Sequence, residues 1–189
     1  MKRIILILAI SLLSNFVLAD DMSNYVKESR AVMKPFLKKL GAENKKAIMA
    51  GGPESAVKVC KEIAPEMTSD ISRQTGWKIS RVSLKVRNPL LGTPDAWEQK
   101  KLHEFSDRVA NGEKPATMNA YEIVQEPAGK YFRFMKAIPL KPGCVACHGT
   151  TADIPENVRA RLNAEYPYDQ AIGYSIGQIR GAVSIKRPL

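Results

Sequence analysis

The chain has 189 residues, 44% of them hydrophobic, with 29 Lys and Arg against 19 Asp and Glu, for a net charge of +10 at pH 7. That is chain enough for one domain with its own core and too little for two, and the apolar content excludes a disordered protein. The positive balance favours anionic partners, but the Lys and Arg residues are scattered and form no basic arm, so no nucleic-acid partner is expected.

The first residues carry an address. Met1-Lys2-Arg3 is a basic start, Ile4 to Leu13 is apolar, and Val17-Leu18-Ala19 ends on a small residue. Residues 1–19 read as a cleaved signal peptide, with a mature start at Asp20 and a periplasmic location. An uncleaved anchor is the rival reading, but Ser11, Ser14 and Asn15 interrupt the apolar run. Residues 20–189 then form a single domain of net charge +8, with no second long apolar stretch and so no transmembrane segment after cleavage.

A helix is predicted from Asp21 to Leu40, with Tyr25, Val26, Met33, Phe36, Leu37 and Leu40 at helical spacing, a kink at Pro35 and a stop at Gly41. Gly51-Gly52-Pro53 marks a turn, and Pro53 suits the start of a second helix, Glu54 to Met67, with Ala56, Cys60, Ile63 and Met67 on one stripe. Cys60 is therefore expected to point inward.

Strict alternation from Arg81 to Arg87 predicts a strand with Val82, Leu84 and Val86 on its inner face. Thr93 or Asp95 caps a following helix whose Trp97, Leu102, Phe105 and Val109 face inward, closed by Asn111-Gly112. Strands Met118 to Gln125 and Tyr131 to Ile138 make a hairpin across the link 126–130. Pro155 to Tyr166 is a short helix with Val158 and Leu162 inward, and Gly181 to Ile185 is a terminal strand. The order predicts an α+β domain with N-terminal helices and an antiparallel sheet, one face of which is free to hold a ligand under the helices.

The sharpest motif is Cys144-Val145-Ala146-Cys147-His148, preceded by Pro142-Gly143 and followed by Gly149. C-x-x-C-H is the attachment signature of c-type haem: two cysteines three apart form thioethers to the two vinyl groups, and the next histidine reaches the iron. The flanking glycines let the backbone approach the ring edge. One covalently bound haem c is expected, on Cys144, Cys147 and His148. The competing readings are a thioredoxin-like pair, which lacks its βαβ context, a zinc site completed by Cys60, and a plain disulfide.

Candidates for a second axial ligand are Cys60, His103, Met67, Met118 and Met135. Methionines usually fill core gaps, and His103 reads as a helix-surface residue. Cys60 is the odd cysteine of three in an exported chain; by residue chemistry it is either the ligand or an inert buried thiol. Arg81, Arg87 and Asn88, with Arg133 and Arg180, are candidate partners for the haem propionates, because guanidinium groups suit carboxylates. Solvated or surface-paired arginines are the alternative.

The stretches Ala56 to Pro65, Arg81 to Pro89 and Pro94 to Glu98, the C-x-x-C-H itself and Gly173 to Ser184 resemble the Tll0287-like family of haem proteins. The resemblance covers nearly all of the mature chain and implies a PAS-like sheet carrying a c-type haem. It also implies an unusual cysteine as distal ligand, at the position of Cys60. Leu90-Leu91-Gly92 departs from the asparagine that family members more often carry there.

Two filled axial positions leave no open iron site, so an enzyme is not expected; His103 is the only histidine outside the motif. The family resemblance implies a redox or small-gas sensor, in which loss of Cys60 on reduction opens a place for carbon monoxide or nitric oxide. The alternative is a low-potential electron-transfer cytochrome. Either would meet a redox partner or signalling protein of acidic surface.

Overall fold

The computed structural model describes side chains from Asp21 to Leu189, and the expected leader 1–19 lies outside those residues. The first helix, α1 (Lys2–Lys58), runs past the expected stop: Gly41 stays helical, because the cost of about 1 kcal/mol for a helical glycine is offset by burial of Leu40 beside it. Its real interruption is at Gly51 and Gly52, where Gly52 has φ 77 and ψ 179 and Pro53 restarts the helix, as the turn reading expects. A π-helical turn, Val59–Ile63, leads into α2 (Ala64–Thr75), which ends on Gly76 in the left-handed conformation.

Strand β1 (Lys78–Val82) starts and ends earlier than the alternation at Arg81 to Arg87 predicts. Ser83 turns the chain out of the sheet: its N–H donates to the carbonyl of Gly92 at 3.2 Å and its hydroxyl to the carbonyl of Arg180 at 2.7 Å. Leu84, expected inside, is 40% exposed. A single-turn helix, α3 (Pro89–Gly92), follows, then α4 (Ala96–Ala110), capped by Asp95 in a capping box with Glu98.

The hairpin β2 (Asn119–Glu126) and β3 (Gly129–Pro139) closes on the two-residue turn Pro127-Ala128, tighter than the link expected at 126–130. A 3-10 turn (Pro142–Cys144) leads into α5 (Val145–His148), then come α6 (Glu156–Glu165) and β4 (Ile179–Pro188). The four strands make one antiparallel sheet in the order β1-β4-β3-β2. This is the expected α+β fold with N-terminal helices, in a PAS-like architecture.

The expectation of a free sheet face is corrected: the central strands are covered on both sides. Phe132, Phe134, Val183 and Ile185 pack under Met33, Phe36 and Leu40 of α1, while Met135, Ala137 and Ala182 pack against Leu102 and Phe105 of α4. β3 carries large residues at every position from Phe132 to Met135, so both its faces need cover. Each buried phenylalanine contributes about 1.5–3 kcal/mol. A smaller cluster joins Val57 to Val158, Leu162 and Tyr166 of the α6 segment, with Cys147 packed against it. Among the described residues no helix is long and apolar enough to cross a membrane.

Candidate functional site

A cavity of about 700 Å³ runs along the edge strand β1, between that strand, α1, the helix carrying Cys60, and the segment holding α5. Its volume lies within the range of about 300–1,000 Å³ of sites that enclose a cofactor-sized ligand. Three site residues singled out by the motif and by the odd thiol meet there: Cys60, Cys144 and His148 all line it. They come from positions 84 residues apart in the chain, and no local pattern places Cys60 opposite the motif.

Cys60 stands inside the π-helical turn, half-buried. Such turns insert one residue into a helix and recur at functional sites, because they redirect a side chain without ending the helix. The turn is tied to α6 by the ion pair of Lys61 with Glu165. The other proposed axial residues are elsewhere. Met118 and Met135 are fully buried against Phe105, Met67 packs under α1, and His103 is exposed on α4.

The motif is held by its neighbours rather than by a long helix. The carbonyl of His148 accepts from Tyr174 N–H at 3.0 Å, and that of Gly149 from Gly173 N–H at 2.7 Å. A β-carbon on Gly149 would stand 2.8 Å from the carbonyl oxygen of Val145, so this position admits only glycine for lack of room. Gly143 has nothing within 4 Å of where its β-carbon would be, so of the two flanking glycines Gly149 alone is crowded, and by protein atoms.

His148 Nδ1 lies 2.8 Å from the carbonyl oxygen of Ala171. A carbonyl only accepts, so Nδ1 carries the proton and Nε2 keeps a free lone pair, the arrangement that second-shell carbonyls impose on metal-binding imidazoles. Arg180 Nε sits 3.1 Å from Nδ1 and 3.4 Å from Nε2. With Nδ1 already donating, Nε2 is the acceptor for Arg180. Burial first, then the charges of Arg180 and Arg87, push the imidazole pKa down to about 2, so it stays neutral.

The arginines divide into three roles. Arg87 is buried, donating through Nε to Asp169 at 2.9 Å and through Nη2 to the carbonyl of Cys147 at 2.6 Å. It therefore orients the motif and has its own carboxylate. Arg133 is corrected from a cavity candidate to a structural ion cluster on the α4 side, bonded to Asp95 at 2.7 Å and Glu126 at 3.0 Å and lying over the Trp97 ring. Arg81 and Arg180 line the cavity, and among the described residues neither has a carboxylate partner; Arg180 donates to Ser83 Oγ at 2.8 Å. Asn88 also lines the cavity, and its side chain caps α3 by accepting from Leu90 N–H at 3.1 Å.

All three cysteines are free thiols. Burial raises the Cys147 pKa, against the pull of Arg87 and with the neighbouring Cys60 and Cys144 adding to the rise. Burial, then Cys60, push Tyr166 up to about 12. Among the described residues no group of three His, Cys, Asp or Glu side chains is close enough to hold a bare metal ion, as the zinc reading needs. A cavity with walls of mixed apolar and polar residues, two guanidinium groups that have no carboxylate among the described residues, an imidazole whose unprotonated Nε2 accepts from Arg180, and sulfur on two sides fits an apolar dianion bearing its own metal, better than it fits an ion alone.

No curated protein matches the chain. Among solved structures, the fold is similar to one described as the crystal structure of the cyanobacterial heme-protein Tll0287, with a TM-score of 0.63, 22% identity, and 85% of this chain and 95% of that chain covered. At that identity the likeness speaks for the fold. The Tll0287-like sequence profile matches residues 14–188, which takes in every cavity residue above, and the chain belongs to the Tll0287-like family.

Proposed function

We propose that the chain is an exported protein carrying one covalent c-type haem in the cavity along β1, and that it works in the periplasm as a redox or small-gas sensor. The observation that carries the reading is the meeting of Cys60, Cys144 and His148 on one cavity whose Arg81 and Arg180 have no carboxylate partner among the described residues. The similar solved structure is that of a heme-protein, which supports the reading. The leader read in residues 1–19 supports export.

When bound, the haem supplies a one-electron couple whose potential follows its axial ligands. The rest falls to the chain. Cys144 and Cys147 hold the group by thioethers, and the crowded Gly149 and the buried Arg87 keep those sulfurs in place. His148 offers Nε2, oriented through Nδ1 by Ala171. Arg81 and Arg180 answer the two propionates with charge-assisted hydrogen bonds. Cys60 would offer a sulfur as the second protein ligand to the iron.

The π-helical turn favours sensing over fixed electron transfer. A turn with one residue more than the α-helix needs can shift register and withdraw Cys60 at small cost, and α6, bonded to Lys61, would move with it. The signal then passes to a protein partner of acidic surface, and carbon monoxide or nitric oxide are the small ligands to test.

The experiment is optical and EPR spectroscopy of wild type and Cys60→Ala, ferric and ferrous, on protein matured in a periplasm. A low-spin thiolate signature in the ferric wild type and its loss in the variant are expected; identical ferric spectra remove Cys60 as a ligand. A product whose mass equals the bare processed polypeptide removes the haem. Unchanged coordination on reduction, with no carbon monoxide binding, replaces sensing by electron transfer.

A further inference from the structure

The far edge of the sheet is open. β2 has one strand neighbour, β3, and among the described residues its outer row of N–H and C=O groups has no ladder partner. At eight residues it is long for an exposed edge. Proteins usually blunt such edges with outward charges, prolines or bulges. β2 has no proline and pairs in continuous register with β3, and its two carboxylates are already engaged. Glu122 accepts from Trp97 Nε1 at 2.9 Å, and Glu126 is bonded to Arg133 at 3.0 Å and to Lys186. The α1-facing residues of β2, Tyr121, Ile123 and Gln125, carry no charge to repel an incoming strand, and Glu122 points to the α4 side beside Trp97 and Lys101.

Beside this edge runs a second cavity, of about 540 Å³, between β2 and α1. Its floor is Tyr121, 47% exposed, and its α1 wall carries Met22 and Val26 with the cations Lys27 and Arg30. Both cations are exposed, and among the described residues neither has an ion-pair partner. Lys34 and Lys38 continue the same exposed face of α1 at helical spacing. Glu28, the acidic residue within this turn, is drawn off to Arg187. A strand-shaped template therefore lies under a positively charged wall with an aromatic between them.

We propose that an extended, acidic segment of a partner protein adds to β2 as a fifth strand, with carboxylates on its α1-facing side paired to Lys27 and Arg30. Main-chain hydrogen bonds would supply the affinity, and the alternate side chains the specificity. An anionic membrane is the poorer occupant, because beside the groove the α1 side chains Val26, Met33 and Phe36 are turned into the core. The proposal does not depend on haem.

The test uses the matured protein with a labelled alternating Glu-Thr peptide of about ten residues as probe, followed by fluorescence anisotropy and by amide hydrogen exchange across β2. Binding that weakens with salt and slows exchange in β2 is expected. The charge reversal Lys27→Glu with Arg30→Glu, on exposed positions, should weaken it by about tenfold, while Lys58→Glu with Arg73→Glu, exposed on the helical segments around Cys60 and the opposite sheet edge β1, should not. The same peptide methylated on every backbone nitrogen, of equal charge, cannot donate the ladder bonds. Equal binding of that peptide, equal loss in the control variant, or no binding of the Glu-Thr peptide overturns the proposal. Loss of binding to phosphatidylglycerol vesicles in the groove variant, without peptide binding, assigns the groove to lipid instead.

Discussion

Arg87 reaches across 60 residues of chain to donate to the carbonyl of Cys147 at 2.6 Å, while the same guanidinium holds Asp169 at 2.9 Å. Both partners of the ion pair are under 10% exposed. One side chain thus fastens the attachment motif to the loop that also supplies Ala171 to His148.

Arg87→Ala leaves Asp169 charged and buried without its partner, and breaking such a pair costs about 3–5 kcal/mol. Urea unfolding of the haem-free protein should show a loss of that size. Arg87→Lys, which keeps the charge and loses the fork, should fall between the two proteins. A loss under about 0.5 kcal/mol in Arg87→Ala would show that the motif is held by its backbone bonds alone.

Gly149→Ala places a methyl group 2.8 Å from a backbone oxygen and from the Asp153 β-carbon, neither of which can swing aside. An overpacking cost of about 1–3 kcal/mol is expected, together with a lower yield of haem-loaded protein by absorbance per mole of chain. Gly143→Ala, in open space, is the matched control and should change stability by no more than about 0.5 kcal/mol.

Arg81→Gln removes a cation that has no carboxylate among the described residues. Haem-free stability should stay within about 0.5 kcal/mol of wild type. Non-covalent capture of haem by a Cys144→Ala, Cys147→Ala protein should weaken by about tenfold or more when Arg81→Gln is added, since a charge-assisted bond contributes about 1.5–3 kcal/mol. Titration of haem into both proteins measures it.

Asp95 shows the direction of acid sensitivity. Burial presses its carboxyl pKa upward, but the Glu98 N–H and the Arg133 guanidinium outweigh that and hold it below the ordinary value. A depressed pKa in the folded state stabilises at pH above the unfolded value, and that stabilisation is lost as pH falls below about 4. Glu126, lowered chiefly by Lys186, acts in the same sense. Wild type should therefore lose stability over the ~2 pH units below that value, and Asp95→Asn should start lower and lose less over the same interval. Equal slopes in urea unfolding would show that Arg133 gives Asp95 no preference for its charged form.

Where neighbouring residues hold all the information, the sequence sufficed. The cap of α4, offered by Thr93 or Asp95 and taken by Asp95, the break at Gly51-Gly52-Pro53 and the inward stripe that includes Cys60 are each short-range matters of backbone preference. The alternation from Arg81 to Arg87 is equally local, yet it misplaced β1, because Ser83 bonds to Arg180 and Gly92, and those bonds exist only once β4 and α3 have docked. Arg81, Arg87, Arg133 and Arg180 look alike as residues, and distant segments decide among them. Asp169 holds Arg87 at the cavity wall, Asp95 and Glu126 claim Arg133 elsewhere, and Arg81 and Arg180 line the cavity with no carboxylate among the described residues. Periodicity states which way a side chain faces along its own element; what it meets there depends on packing between elements far apart in the chain, and that was decided by the tertiary structure alone.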